Sequence, residues 1–141
     1  PYVADIVSQG MEWGVPVMAE FLPGGFEDPK KWWTPENIGH ANRIGAEMGV
    51  DFLKTAYSGD PESWKNICDQ IYQPIVVLGG GKSKEPVDLL TQIHDAVANG
   101  ASGVAVGRNI YRHPPPDKMT AAIAAVVHED ASVEKALEYL K

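Results

Sequence analysis

Asp51-Phe52-Leu53-Lys54-Thr55-Ala56-Tyr57 decides the fold. Read as a strand, it places Phe52, Lys54 and Ala56 on one face and Leu53, Thr55 and Tyr57 on the other, with both faces largely apolar. A strand apolar on both sides is expected where helices or a barrel interior cover it, which is the pattern of parallel sheets. Lys54 breaks that pattern. A lysine ordinarily titrates near 10.4, so it attacks a carbonyl at neutral pH only where a dry setting or a nearby cation lowers that value. Lys54 is therefore a candidate amine nucleophile. The competing use is structural, with the side chain snorkelling from a strand end or pairing with a carboxylate.

Three further apolar runs, at residues 15–20, 74–78 and 103–106, share this character, and each of the four is followed by a helical pattern. Thr34 caps the first helix, with Pro35 at its first position, a stripe of Ile38, Ala41, Ile44 and Met48, and a stop at Gly49. The second opens at Asp60-Pro61 and turns Trp64, Ile67, Cys68 and Ile71 inward. The third, over residues 86–99, buries Leu89, Leu90, Ile93 and Val97 and ends at Gly100. After the fourth strand Pro114-Pro115-Pro116 breaks the chain before an alanine-rich helix with Met119, Ile123, Val126 and Val127. Ser132 opens a terminal helix carrying Leu137 and Leu140. Ahead of all this, residues 3–12 form a helical stretch with Val3, Ile6, Val7 and Met11 on one face. Strands of this kind separated by helices imply parallel pairing with right-handed crossovers, in a doubly wound sheet or a (β/α)8 barrel.

The composition suits one folded domain: 141 residues, 44% hydrophobic. Nineteen acidic against twelve basic residues give a net charge of −7, which argues against a nucleic-acid or acidic-membrane surface and leaves room only for a local anion site. The single cysteine, Cys68, sits in a helical pattern beside Ile67 and Ile71 and is read as a small core residue in a protein of the reducing cytoplasm. No run approaches the 18 or so apolar residues of a membrane span, and no signal-peptide pattern is present. The chain starts at Pro1 without a methionine and enters a helix at once, so it reads as a piece of something longer. His40, His94, His113 and His128 lack ligand spacing, and no metal site is expected. No Ser-His-Asp set, Walker loop or dinucleotide fingerprint occurs; Gly79-Gly80-Gly81-Lys82-Ser83 lacks the P-loop's length before its lysine.

Ligands of parallel β/α folds bind where strands end, and the loops there are the ones rich in glycine and polar residues. They are Leu22-Pro23-Gly24-Gly25, Ser58-Gly59-Asp60, Gly79-Gly80-Gly81-Lys82-Ser83 and Gly107-Arg108-Asn109. Bare backbone at Gly79-Gly80 and Gly107 lets N–H groups approach an anion, although glycine after a strand also serves a plain tight turn. Glu20 closes the first strand at the same mouth as Lys54, as a proton shuttle or a counter-ion. Tyr57 lies opposite Lys54 and is assigned a structural hydrogen bond. In the long loop at 23–33, Trp32-Trp33 is expected to pack over the mouth or against another subunit.

Three segments in this order, Asp51-Phe52-Leu53-Lys54-Thr55-Ala56-Tyr57-Ser58-Gly59-Asp60, Pro74-Ile75-Val76-Val77-Leu78-Gly79-Gly80 and Gly103-Val104-Ala105-Val106-Gly107-Arg108-Asn109-Ile110, resemble the archaeal-type class I fructose-bisphosphate aldolases and the deoxyribose-phosphate aldolase group. The resemblance implies a (β/α)8 barrel whose strands five to eight are the four strands here, so that residues 1–141 are the carboxyl-terminal half and strands one to four are absent. It implies that Lys54 is the Schiff-base lysine and that Gly79, Gly80, Gly107 and Arg108 bind the substrate phosphate. The expected activity is a class I aldolase acting on a phosphorylated ketose, fructose-bisphosphate aldolase-like and glycolytic, with no cofactor, as a homo-oligomer. One departure stands out. Members of the family it resembles carry a tyrosine proton donor at the end of strand five, followed by proline and arginine, where this chain has Leu22-Pro23-Gly24; Glu20 falls where they have a tryptophan, and the hypothesis that follows is that its carboxylate takes over the task of the missing hydroxyl. A transaldolase-like or acetyl-transferring enzyme on a phosphorylated ketone, a noncatalytic half-barrel scaffold and a phosphate-binding isomerase barrel are the alternatives.

Overall fold

The structure, a computed structural model, describes residues 2–25, 27–80 and 85–141. The loop residues Gly81, Lys82 and Ser83 named above lie outside the described residues. In chain order the elements are α1 (Tyr2–Trp13), β1 (Met18–Glu20), α2 (Pro29–Trp32), α3 (Pro35–Glu47), β2 (Phe52–Thr55), α4 (Pro61–Asp69), β3 (Ile75–Leu78), α5 (Pro86–Ala98), β4 (Gly103–Ala105), α6 (Arg108–Tyr111), α7 (Pro116–Glu129) and α8 (Val133–Glu138). The four strands pair in parallel in sequence order, β1-β2-β3-β4. That order is what successive right-handed β/α crossovers produce when each strand is laid beside the last.

Local signals set the helix starts. The Thr34 hydroxyl accepts from the Asn37 N–H at 3.3 Å, and Asp60 accepts from the Ser63 N–H at 2.9 Å. The Ser132 hydroxyl accepts from the Lys135 N–H at 3.3 Å, so all three satisfy donors that a helix end leaves free. The Ser63 hydroxyl and N–H both donate to Asp60 and hold its carboxyl below the usual range. After α3 and α5 the chain turns through glycines at positive φ, Gly49 at 82° and Gly100 at 112°.

Two apolar clusters form the core. One packs Leu53, Ile75 and Val77 of the sheet against Ile38 and Ala46 of α3 and Trp64 and Ile67 of α4. The other joins Leu89, Leu90 and Ile93 of α5 to Met119, Ile123 and Val126 of α7 and Ala136 of α8. Trp64 is fully buried and its Nε1–H donates to the Ala96 carbonyl at 3.0 Å, tying α4 to α5. Cys68 packs against the first cluster, and burial raises its thiol from 9.0 to about 11.

Several expectations are corrected in detail. The strands are shorter than the apolar runs: β1 begins at Met18 because the Val17 N–H is taken by the Asp51 carboxylate at 2.6 Å rather than by a neighbouring strand. Ile38 is buried as expected, but Ile44 is not part of the inward stripe of α3, being 52% exposed; Asn42, Gly45 and Ala46 are buried instead. Gly45 takes that place because α3 lies so close to the sheet that a Cβ there would sit 2.5 Å from Leu53 Cδ2 and 2.7 Å from the Phe21 ring. On α1 only Val7 is buried, while Ile6 and Met11 are exposed. Two short helices, α2 and α6, occupy segments read as loops.

Candidate functional site

Alternation along β2 sorts its side chains as the sequence implies: Leu53 and Thr55 are fully buried toward the helices, while Phe52 and Lys54 are half-buried on the opposite face. Pairing register then sets Lys54 level with Glu20 on β1 and with Val76 on β3, and Val76 level with Gly103 on β4. Residues level with one another on adjacent strands share a face, so the two charges meet. Lys54 Nζ lies 3.3 Å from Glu20 Oε1, with side chains 23% and 42% exposed. A half-shielded amine beside a carboxylate is equipped to exchange protons with that carboxylate and to meet a carbonyl from the strand ends.

Glu20 is the last residue of β1, and the chain beyond it is braced. The Phe21 N–H donates to the Lys54 carbonyl at 3.1 Å, and the buried Thr55 hydroxyl donates to the Phe21 carbonyl at 3.1 Å. Leu22 packs against the core and offers no hydroxyl. The loop that follows is built rather than loose: Trp32 lies on Gly24, where a Cβ would fall 2.3 Å from the indole, its Nε1–H donates to Glu27 at 3.1 Å, and the Asn37 carboxamide donates to its carbonyl at 3.0 Å. Trp33 packs against the core. Tyr57 faces the helices, its ring 5.5 Å from that of Trp64. The hydrogen bond expected of it is not seen: among the described residues its buried hydroxyl finds no partner, and burial with the charges of Asp95 and Asp60 pushes it up to about 12.

Because the sheet is parallel, Gly79-Gly80 after β3 and Gly107-Arg108 after β4 lie at the same end as Glu20. The two loops are joined. Arg108 Nη2 donates to the Gly80 carbonyl at 2.9 Å and Asn109 Nδ2 to the Gly79 carbonyl at 2.7 Å. A Cβ on Gly79 would fall 2.7 Å from Val106 Cγ1, so only bare backbone fits that close to the exit of β4. Asn109 was not among the sequence candidates. Its signal was there, a carboxamide between Arg108 and Ile110 in a loop of the functional face, but its partner lies 30 residues away.

A cleft between α3 and α4, lined by Glu36, His40, Arg43, Asn66 and Gln70, shares no residue with this end of the sheet. Among the described residues no three His, Cys, Asp or Glu side chains converge to hold a metal, and no helix is long and apolar enough to cross a membrane.

A four-stranded parallel β/α unit with its polar groups gathered at the strand ends is the architecture of one half of an aldolase barrel, and the comparisons agree. Residues 1–113 match the DeoC/LacD family aldolase model, and the chain belongs to that family. A 2-amino-3,7-dideoxy-D-threo-hept-6-ulosonate synthase of Halobacterium salinarum is 41% identical over 136 residues, covering 96% of this chain and 50% of that protein. An uncharacterized aldolase of Saccharolobus solfataricus is 32% identical over 139 residues, 99% of this chain and 51% of that one. Among solved structures, an archaeal fructose 1,6-bisphosphate aldolase superposes with a TM-score of 0.84 at 30% identity, over 90% of this chain and 50% of the other. Another, with its catalytic Lys covalently bound to the carbinolamine intermediate of the substrate, gives a TM-score of 0.82 at 30% identity, over 89% and 50%. The chain thus spans about half the length of the curated relatives it matches.

Proposed function

We propose that these residues are the carboxyl-terminal half of a class I, Schiff-base aldolase acting on a phosphorylated ketose or ketone. The observation that carries the reading is the Lys54–Glu20 pair, in register on adjacent strands at the end of the sheet where the glycine loops gather. In this reading the Lys54 amine adds to the substrate carbonyl, and the carbinolamine loses water to give a protonated imine. The hydroxyl on the β-carbon gives up its proton as the bond between the α- and β-carbons breaks and its electrons flow into that imine, an aldehyde leaves, and the remaining enamine takes up a proton before water releases the second product. Glu20 moves the protons, in the absence of a tyrosine at position 22. Gly79, Gly80, Gly107 and Arg108 hold the phosphate, so that binding energy remote from the reacting carbons aligns them.

Two substrate types compete. The solved structures favour a fructose-bisphosphate-like ketose, and a glycolytic role depends on that choice. The sequence relatives favour a longer amino-oxo acid: besides the 41% identical synthase, a 2-amino-4,5-dihydroxy-6-oxo-7-(phosphonooxy)heptanoate synthase of Streptomyces griseus is 31% identical over 122 residues, 85% of this chain and 43% of that protein. Leu22 in place of the tyrosine weakens the first type. A homo-oligomeric enzyme of the cytoplasm fits the single cysteine and acidic charge. A noncatalytic half-barrel that assembles with a partner chain is the rival, favoured by the outer edges of β1 and β4, which no other described strand pairs.

The test is carbon–carbon cleavage of both substrate types by the longest natural form of the protein, with Lys54→Arg and Glu20→Gln beside wild type. Lys54→Arg keeps the charge but not the nucleophile and is expected to lose at least about 10³-fold in kcat. Glu20→Gln is expected to form the imine yet turn over about 10²-fold more slowly. Normal turnover by Glu20→Gln removes its proton-transfer role, and normal turnover by Lys54→Arg removes the Schiff-base reading.

A further inference from the structure

We propose that Asn109 is a positioning residue for a phosphate monoester, holding the Gly79 peptide so that the Gly80 amide is presented to the ligand. The proposal rests on the aldolase reading for the identity of the ligand and on this chain's own geometry for the rest. Asn109 is 7% exposed, and its Nδ2 donates to the Gly79 carbonyl at 2.7 Å. Its neighbour Arg108 reaches the next carbonyl, Gly80, at 2.9 Å. Two successive side chains of one loop thus take two successive carbonyls of the other.

The Gly79 carbonyl and the Gly80 N–H belong to one planar peptide and point in opposite directions. A hold on the carbonyl from the β4 side therefore turns the Gly80 N–H away from that side. Among the described residues nothing accepts from it. Gly80 itself has φ 60°, so the chain bends at once and the next carbonyl comes within reach of Arg108. Without Asn109 the Gly79 peptide has no such restraint and is free to rotate, since neither glycine carries a Cβ to limit it. A second buried polar residue repeats the device. Thr55 holds the carbonyl of Phe21, the first residue after β1, as Asn109 holds that of Gly79, the first after β3. One braces the strand end that carries Glu20, and the other braces the glycine loop.

Asn109→Asp keeps the shape, removes the donor and faces a carboxylate oxygen toward the Gly79 carbonyl. Asn109→Ala serves if that variant does not fold. The experiment traps the imine with borohydride in the longest natural form of the protein, titrating dihydroxyacetone phosphate and, separately, unphosphorylated dihydroxyacetone. The expected result is a rise of about tenfold in the half-saturating concentration of the phosphate ester, with the maximal adduct and the response to dihydroxyacetone changed by less than about twofold. Equal loss on both ketones, no change on either, or failure of both variants to fold overturns the proposal. If wild type traps neither ketone, the aldolase reading has failed. Calorimetry with inorganic phosphate then decides the Asn109 claim alone: about tenfold weaker binding in the variants upholds it, and equal or absent binding in all forms overturns it.

Discussion

Two glycines of α3 are predicted to respond to alanine with opposite signs. In a helix interior, Gly→Ala ordinarily stabilises by about 0.5–1 kcal/mol through lost freedom of the unfolded chain. At Gly39 the nearest atom to an added Cβ is Ile67 Cγ1 at 3.6 Å, ordinary contact, so the full gain is expected. At Gly45 the same methyl falls 2.5 Å from Leu53 Cδ2 and 2.7 and 2.8 Å from two atoms of the Phe21 ring. Contact distances of 3.5–4.0 Å require something to retreat by about 1 Å. Leu53 is fully buried and cannot swing aside, so α3 or the sheet must move, at an overpacking cost of about 1–3 kcal/mol. The cost exceeds the helical gain, and Gly45→Ala is expected to destabilise by about 1 kcal/mol. The two variants then differ by about 2 kcal/mol, a separation of about 1 M in urea midpoint. Urea unfolding of each against wild type is the assay. A Gly45→Ala midpoint at or above that of Gly39→Ala would refute the close approach of α3 to the strand that carries Lys54.

Other outcomes follow from the buried titratable groups. Tyr57→Phe removes a buried hydroxyl with no partner among the described residues and is expected to leave stability unchanged or raise it by up to about 1 kcal/mol in thermal unfolding; a loss of more than about 1 kcal/mol would reveal a partner. Burial raises both Cys68, from 9.0 to about 11, and Tyr57, from 10.0 to about 12. Both are neutral acids whose ionised form the folded state disfavours, so their contribution is whole below pH 9 and is lost as pH climbs toward 12. Unfolding midpoints measured from pH 8 to 11 should fall, and less steeply in Cys68→Ala; an identical slope in that variant removes Cys68 as a cause.

The order of strands and helices was legible because each strand is a short run apolar on both faces and each crossover helix has its own start signal. Thr34, Asp60 and Ser132 cap helices as their sequence contexts imply. Lys54 and Glu20 were legible as partners because both faces of a strand can be counted from its ends, and the register then brought them to 3.3 Å. What stayed hidden depends on distance through space. Hydrophobic periodicity placed Ile44 inward, whereas the helix turns its small side, Gly45 and Asn42, toward the sheet to come closer. Periodicity also put Met11 on the apolar face of α1 with Val7, yet it is 80% exposed. Asn109 and Thr55 act on carbonyls 30 and 34 residues away, and no local pattern marks such a link.

The central claim is that Lys54 forms the imine. Borohydride reduction of the longest natural form of the protein, with a panel of phosphorylated ketoses and ketones and peptide mass mapping of the product, addresses it most directly. The account predicts a reduced adduct on the peptide containing Lys54, formed with at least one phosphorylated ketone and absent in Lys54→Arg. An adduct on a different lysine, or none with any ketone from a folded sample, would contradict it.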